Sequence, residues 1–253
     1  MDLGIAGKLA IVTASSTGLG DAVARALAAE GVHLALFARS EDRLRATAAE
    51  IEARYGVRAL PVAGDMRSRK DVENLVALVT REFGGPDILI LNTGRPPLPT
   101  RAVLDETEDE RWEEAYRTQL WGSILVARLV VPLLAQRGWG RVIAITSASV
   151  KQPMPKHGLS TVFRAGVTGL MKHLANEVAA KGVTVNSVCP ASIATPSLGR
   201  SYDFSERIKQ VPVGRMGRPE ELAATVAFLA SDLAGFVTGA SLQVDGGMVA
   251  SLY

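Results

Sequence analysis

The sequence predicts an α/β fold in which a single doubly wound domain carries a parallel sheet of about seven strands between layers of helices. The first observation is that short, β-rich apolar runs alternate along the chain with longer segments of helical period. The second is that these runs are almost continuously apolar, which is typical of strands buried on both faces of a parallel sheet. The third is that no linker, repeat or low-complexity segment interrupts residues 1–253, which predicts one domain.

Strand and helix candidates follow each other in turn. The strand candidates are KLAIVT, VHLALFA, ILILN, RVIAITS and VTVNSVC. The first predicted helix ends at Gly31, and the second begins after Ser40 as N-cap and ends at Gly56. Ser68 and Asp71 predict a capping-box-like start for the third. Ligands of such sheets bind beyond the carboxyl ends of the strands, so we expect the functional site there.

Composition and charge exclude several classes of protein. Apolar residues make up 47% and charged residues 21%, which indicates a globular chain. The net charge is +2 with scattered basic residues, so no nucleic-acid surface is expected. Cys189 is the single cysteine, which fits a reducing compartment, and three dispersed histidines predict no metal site. The acidic N-terminus predicts no signal peptide, and Arg128 and Pro132 interrupt the longest apolar stretch. We therefore predict a soluble, cytoplasmic protein without a membrane span.

The turn after the first predicted strand, TASSTGLGDAV, is the first candidate for chemistry. Gly18 and Gly20 fall where the chain enters the helix, and glycines there let backbone N–H groups approach a pyrophosphate. The spacing does not match G-x-G-x-x-G. A tight strand–helix turn without a ligand is therefore an open alternative at this point.

Motifs along the rest of the chain resemble those of the short-chain dehydrogenase/reductase family. They are TASSTGLG, LNTG, ITSAS, RAGVTGL, VNSVCPASIAT and the ending from GRMGRPEELAATVAFLA to VDGG. The resemblance covers essentially the whole chain and is greatest to the β-ketoacyl carrier-protein reductase branch. It implies a Rossmann-type fold, a nicotinamide cofactor and a small-molecule substrate with a carbonyl or secondary alcohol.

The resemblance also implies a set of cofactor-binding residues. Ala14 replaces the first glycine of the family's turn, where its methyl group is expected to crowd a turn that favours positive φ. The residues implied are Thr13, Ser15, Gly18, Gly20, Arg39, Ser40, Asp65, Met66, Asn92, Gly94, Arg164, Pro190, Ile193 and Thr195. Arg39 and Ser40 stand where members that use NAD carry an acid, and a guanidinium suits a 2′-phosphate. We therefore predict NADP, with NAD as the less favoured alternative.

The catalytic positions of the family are only partly matched. Ser147 stands where the family has its substrate-binding serine, whereas Ser160 replaces the catalytic tyrosine and Arg164 the lysine. Gln119 replaces the asparagine that holds a relay water. A serine hydroxyl is shorter and less acidic than a phenol, and arginine stays protonated. His157 precedes Ser160 by three residues, either on the same helical face or, as we favour, in solvent on the preceding loop.

Three functions remain open on the sequence alone. The first is an NADP-dependent reductase or dehydrogenase with an altered proton relay through Ser147, Ser160, His157 or water. The second is a non-redox enzyme on the same fold, as in halohydrin dehalogenases, which share an arginine at the lysine position. The third is a catalytically silent protein that binds the cofactor.

Substrate and assembly are predicted from segments around the site. Residues 191–214 are expected to form a lid, with Tyr202, Phe204 and Arg207 as candidate contacts. Arg95 and Arg101 suit an anionic substrate. Predicted helices over 112–136 and 157–180 are apolar on more than one face, as in family members that pair through them. We predict a homotetramer, with a dimer as the alternative.

Overall fold

The computed structural model describes residues 1–195 and 205–252, and that part of the chain forms one sheet of seven parallel strands. The strands are Leu9–Thr13 (β1), His33–Ala38 (β2), Ala59–Ala63 (β3), Ile88–Leu91 (β4), Gly140–Ile145 (β5), Val183–Pro190 (β6) and Ser241–Val244 (β7). Their spatial order is β3-β2-β1-β4-β5-β6-β7. Because the direction of winding reverses between β1 and β4, a crevice opens beyond the carboxyl ends of these two strands. The predicted fold class is confirmed.

Helices cover both faces of the sheet. They are Gly18–Ala29 (α1), Glu41–Tyr55 (α2), Arg69–Phe83 (α3), Asp109–Ala115 (α4), Gly122–Arg137 (α5), Gly158–Val178 (α6), Ser205–Ile208 (α7) and Pro219–Ala230 (α8). A π-helical turn, Tyr116–Trp121, joins α4 to α5. One layer contains α1, α2 and α8, and the other contains α3, α5 and α6.

Successive side chains of each strand point to opposite faces of the sheet and so belong to two separate parts of the core. In β1, Ala10 and Val12 pack with the α1 layer, whereas Leu9 and Ile11 pack with the α3 layer. Side chains of a strand point to opposite faces in turn, so a strand that is apolar throughout is covered on both sides. The continuous apolar runs of the sequence thus correspond to strands enclosed by two helical layers.

The start of α3 differs from the predicted capping box. The Ser68 hydroxyl accepts a hydrogen bond from the Asp71 N–H at 3.3 Å, as predicted. The Asp71 carboxylate, however, accepts from the N–H of Asp65 at 2.9 Å and not from Ser68. Asp71 therefore ties the loop after β3 to the helix. Ser40 is the N-cap of α2, but its side chain makes no capping bond.

The helical run Asp109–Arg137 is long and apolar enough to cross a membrane by length and composition. Half of its apolar window is buried inside the fold. Leu125, Val130 and Leu134 pack in the core beneath the sheet. This burial is typical of the core helix of a globular protein.

Candidate active site and cofactor crevice

Thr13 and Asn92 connect the ends of β1 and β4 at the crevice. The Thr13 hydroxyl donates to the carbonyl oxygen of Asn92 at 2.7 Å and accepts from its N–H at 2.9 Å. The Asn92 amide donates to the carbonyl oxygen of Ala14 at 3.2 Å. These bonds hold the glycine turn against the neighbouring strand, so both residues shape the crevice from beneath.

The turn itself has the backbone conformation that its glycines suggest. Gly18 has a φ of 69°, and Ala14 has a φ of 48°, so the predicted positive φ at Ala14 is present. A Cβ atom at Gly20 would lie 2.4 Å from the Ala14 carbonyl oxygen. Only glycine therefore allows α1 to begin this close to the turn, whereas Ala14 adopts a conformation that disfavours an L side chain.

Unsatisfied polar groups at the turn fit a phosphate-bearing dinucleotide. The Ser15 and Thr93 hydroxyls are buried and have no hydrogen-bond partner among the described residues. Thr17, the N-cap of α1, makes no side-chain capping bond. Buried polar groups normally have partners, and a helix N-terminus attracts anions. The residues present thus match the hydrogen-bond donors that a pyrophosphate needs.

The predicted adenosine side of the crevice carries one ion pair. Arg67 binds the Asp65 carboxylate with an N–O distance of 2.6 Å. Burial raises the pKa of Asp65, but the hydrogen bonds from Arg67 outweigh it and lower this pKa below its ordinary range. Arg39 and Ser40 are exposed beyond β2. Met66 is buried.

Ser147 lies directly beyond β5 with its hydroxyl oriented by a neighbour. Its oxygen accepts from the Ser149 N–H at 3.1 Å, and the Ser149 hydroxyl lies 2.9 Å from it. With Ser149 donating to that oxygen, the Ser147 O–H remains available to a substrate carbonyl. Sequence analysis did not identify Ser149, although its place two residues after Ser147 at a helical turn was a usable signal.

Arg164 projects from α6 to the carboxyl ends of β4 and β5. Its Nη1 donates to the carbonyl oxygens of Ile145 and Thr146 at 2.9 and 3.0 Å, and Nη2 donates to that of Gly94 at 3.4 Å. Burial lowers the pKa of Arg164 to about 10, so the guanidinium is charged at neutral pH. The Nε–H and one Nη2 hydrogen remain for a ligand.

Ser160 and Gln119, the other two predicted catalytic residues, are both buried. Ser160 is 9% exposed and faces a cavity of about 10 Å³, which is at the lower limit for one water molecule. Gln119 is fully buried in the π-helical turn, and neither its Nε2 nor its Oε1 has a partner among the described residues. Such turns are frequent at functional sites.

His157 differs from our expectation of a solvated loop residue. It is the N-cap residue of α6 and is half-buried. Its Nε2 lies 3.0 Å from Nη2 of Arg207, a contact that the sequence did not predict. Burial first, and then the charge of Arg207, lowers the pKa of His157 below its ordinary value.

Residues 95–106, which we call the proline loop, form one wall above the N-terminus of α6. Arg101 pairs with Glu108 at 2.6 Å, and its binding of an anionic substrate stays a prediction. Arg95 is exposed and donates to the Thr195 hydroxyl at 3.4 Å. Partial burial and the charge of Arg207 lower the pKa of Arg95.

The opposite wall begins where β6 ends. Pro190 and Ile193 are buried, and Thr195 is half-buried. The Cys189 sulfur lies 3.2 Å from the Thr146 hydroxyl, and burial raises the pKa of this thiol. Of the predicted lid, Tyr202 and Phe204 lie outside the described residues. In the described ranges no group of His, Cys, Asp and Glu side chains could hold a metal ion.

Three features assign this chain to a class of proteins. They are the order of the strands, the glycine turn after β1 and the hydroxyl groups without partners at the crevice. The class is that of dinucleotide-binding proteins with a doubly wound parallel sheet. A family model described as enoyl-(acyl carrier protein) reductase matches residues 13–249. The chain belongs to the short-chain dehydrogenase/reductase family.

Several characterised relatives are similar over nearly their whole length. The 3-oxoacyl-(acyl-carrier-protein) reductase of Aquifex aeolicus is 34% identical over 98% of this chain and 100% of its own. The Escherichia coli reductase of the same name is 35% identical over 96% and 97%. L-Sorbose reductase from Gluconobacter frateurii, solved with NADPH and L-sorbose, is 34% identical, and each chain is covered completely with a TM-score of 0.92. A variant of actinorhodin polyketide ketoreductase, solved with NADPH, is also 34% identical, with coverages of 96% and 98% and a TM-score of 0.89.

Proposed function

We propose that this protein is an NADP-dependent reductase of a carbonyl compound, or the corresponding secondary-alcohol dehydrogenase, with 3-oxoacyl-type compounds as the substrate class. The observation that carries the proposal is the oriented hydroxyl of Ser147 beside the crevice. Similarity to reductases solved with NADPH supports both cofactor and reaction. A cytoplasmic location stays a prediction.

The proposed catalytic residues are Ser147, Ser160, Arg164 and Gln119, in place of the family's Ser, Tyr, Lys and Asn. A bound nicotinamide would supply the hydride. Ser147 donates a hydrogen bond to the substrate carbonyl oxygen, which strengthens as negative charge develops there. Arg164 keeps its positive charge, with a pKa of about 10, and directs its remaining N–H groups to the cofactor ribose. Ser160 supplies the proton.

The first experiment measures binding and turnover separately. NADPH is titrated by calorimetry, and loss of NADPH absorbance is followed with a panel of ketones and 3-oxoacyl thioesters. We expect binding and turnover in the wild type. Ser147→Ala should lower turnover by about 10²–10³-fold, because one donor to the developing oxyanion is lost. Its NADPH affinity should be unchanged. No turnover with any ketone would contradict the proposal.

The choice of NADP is tested at Arg39. Arg39→Ala should weaken NADPH binding by about tenfold or more, since one charge-assisted contact to the 2′-phosphate is lost. NADH binding should not change. Arg54→Ala is the matched control, because Arg54 is an exposed arginine at the far end of α2. Wild-type affinity for NADH equal to that for NADPH would contradict the prediction.

A cofactor-binding protein without turnover is the second candidate. It is favoured by the burial of Ser160, which lies beneath the proline loop and not in an open pocket. NADPH binding without reduction of any ketone would support it.

A further inference from the structure

Arg95 is a cation at the crevice for which the described residues supply no carboxylate. It follows the end of β4, and its guanidinium donates to the Thr195 hydroxyl beyond β6 at 3.4 Å. The charge that acts on it is that of another cation, Arg207, which together with partial burial lowers the pKa of Arg95. The two guanidinium groups are thus close enough to repel each other, and an anion between them would be stabilised.

The contact between Arg207 and His157 brings no negative charge to this place. Arg207 Nη2 lies 3.0 Å from Nε2 of His157. Arginine N–H groups can only donate hydrogen bonds, so Nε2 is the acceptor and the imidazole ring is neutral. Glu106, which lines the cavity beside His157, is already paired with Arg111 at 2.6 Å.

Arg164 brings Arg95 and the proposed catalytic Ser147 close together. Its Nη1 donates to the carbonyl oxygen of Thr146, the residue before Ser147. Its Nη2 donates to that of Gly94, the residue before Arg95. One guanidinium therefore bridges the ends of the adjacent strands β4 and β5. A small molecule whose carbonyl oxygen accepts from Ser147 has the cation of Arg95 beside it.

We propose that the substrate is a keto acid, a ketone with a free carboxylate, and that Arg95 and Arg207 bind this carboxylate while the carbonyl lies at Ser147. The inference rests on the proposed function and narrows its substrate class from 3-oxoacyl-type compounds in general to free acids. A carboxylate matches guanidinium N–H groups in both charge and geometry. It would also offset the repulsion between the two arginines, which a neutral ester or thioester cannot do.

The phosphates of the cofactor are expected at a different part of the crevice. The unsatisfied Ser15 hydroxyl lies at the turn after β1, and Arg39 lies beyond β2. Arg95, by contrast, reaches Thr195 beyond β6, and β4 separates β1 from β6 in the sheet. A carboxylate at Arg95 is therefore distinct from the cofactor phosphates, and the affinity for NADPH tells the two apart.

The first test measures binding without turnover. 3-Oxobutanoate and 4-oxopentanoate are titrated by calorimetry against the protein, both free of cofactor and saturated with NADP⁺, which has no hydride to give to a ketone. The methyl ester of each acid is the uncharged comparison. We expect at least one acid to bind about tenfold or more tightly than its ester, because the ester lacks the charge-assisted bonds. Equal affinities within both pairs would overturn the inference.

Substitution of the two arginines tests where the carboxylate binds. Arg95→Gln and Arg207→Gln should each weaken binding of the acid by about tenfold or more and leave the affinities for the ester and for NADPH unchanged. Arg54→Gln is the matched control, because Arg54 is exposed in the last turn of α2, and it should change none of them. An equal loss for acid and ester would show a structural role. A loss of NADPH affinity alone would assign the arginines to the cofactor. Either result would overturn the inference.

Reduction by NADPH separates this inference from the proposed function. The wild type should reduce the acid with a kcat/KM about tenfold or more above that of its ester, and Arg95→Gln should remove the preference mainly through KM. Equal kcat/KM for acid and ester would overturn the inference and leave the proposed function intact. Binding of the acid without reduction of any ketone would instead refute the proposed function, and with it the role of the acid as substrate.

Discussion

At the residue scale, Ala14 shows the effect of one methyl group at the cofactor turn. Its φ of 48° lies in the left-handed region, which costs an L residue about 1–2 kcal/mol. Ala14→Gly removes this strain but increases the conformational entropy of the unfolded chain. We expect the free energy of unfolding to rise by about 0.5–1 kcal/mol in urea titrations.

A second alanine provides the control for Ala14→Gly. Ala26 lies within α1, where glycine is unfavourable, so Ala26→Gly should lower the free energy of unfolding by about 1 kcal/mol. Opposite signs at these two positions would identify backbone strain as the cause. A loss of stability in Ala14→Gly would contradict the explanation.

Replacing Gln119 should stabilise the protein and at the same time lower its activity. Its amide is fully buried without partners among the described residues. Gln119→Met has a similar shape and no amide, so we expect the free energy of unfolding to rise by about 1 kcal/mol or more. Carbonyl reduction should fall if the amide serves the proton relay.

The control for Gln119→Met lies on the same helical run. Gln136 is exposed in α5, so Gln136→Met should change the free energy of unfolding by less than about 0.5 kcal/mol. Both are measured by urea unfolding. A destabilised Gln119→Met variant would show that the amide has partners in solution.

At the element scale, Arg111 fixes the proline loop to α4. Its guanidinium binds both carboxylate oxygens of Glu106, at 2.6 and 3.0 Å. It also donates to the carbonyl oxygens of Pro97, Leu98 and Pro99. The Trp112 indole of α4 also donates to the carbonyl oxygen of Glu106 at 2.8 Å, so two side chains of the following helix hold the loop that covers Ser160.

This attachment should weaken in acid. Hydrogen bonds from Arg111 lower the pKa of Glu106 below its ordinary 4.5. The carboxylate therefore contributes its full stabilisation above pH 4.5, and the contribution is lost as pH falls through the lower, folded-state pKa. Glu106→Gln should destabilise the protein at neutral pH and flatten its stability profile below pH 4.5.

Urea midpoints of the wild type and Glu106→Gln, measured from neutral to acidic pH, test this prediction. Glu108→Gln is the control, because Glu108 is the exposed partner of Arg101 in the same segment, and it should change the profile less. Equal profiles for the wild type and Glu106→Gln would show that the pair does not contribute.

The sequence predicts those helix ends and strands that are marked by residues within the element itself or directly beside it. Gly56 ends α2 in the left-handed conformation, as its position after an amphipathic segment indicates. The burial of Ser160 and the contact of His157 with Arg207 depend on segments far apart in sequence. No local pattern encodes these two features, since they arise when the proline loop and α7 pack against the start of α6.

At the scale of the whole molecule, two of the places with exposed apolar side chains, α6 and the region of β7, are candidate contact surfaces between subunits. Val162 on α6 is 50% exposed, and Phe236 and Leu242, near and in β7, are 104% and 42% exposed. Two self-complementary surfaces can generate a tetramer. Light scattering should therefore give four times the 26.8 kDa mass of the chain.

Single substitutions should separate the two surfaces. Val162→Lys and Phe236→Lys should each yield a dimer, because each leaves one apolar surface intact. Leu104→Lys is the control, since Leu104 is an exposed apolar residue of the proline loop. A wild-type mass equal to one chain would refute the tetramer.

Architecture and chemistry were predictable to different degrees. The parallel sheet follows from apolar runs whose alternate residues, such as Ile11 and Val12, face two helical layers. The positions of Ser147, Ser160 and Arg164 follow from the motif frame. What these side chains do depends on orientation and burial, and both are set by tertiary contacts such as the hydrogen bond from Ser149.

The single thiol of Cys189, buried at the end of β6, provides a chemical reporter for this corner of the crevice. A thiol-modifying reagent reacts with it only when the surrounding structure opens. A ligand that binds the closed protein reduces the open population, and with it the labelling rate, by the factor 1 + [L]/Kd. Labelling rates at increasing NADPH concentration would therefore yield the cofactor dissociation constant without any turnover, and so without knowledge of the substrate.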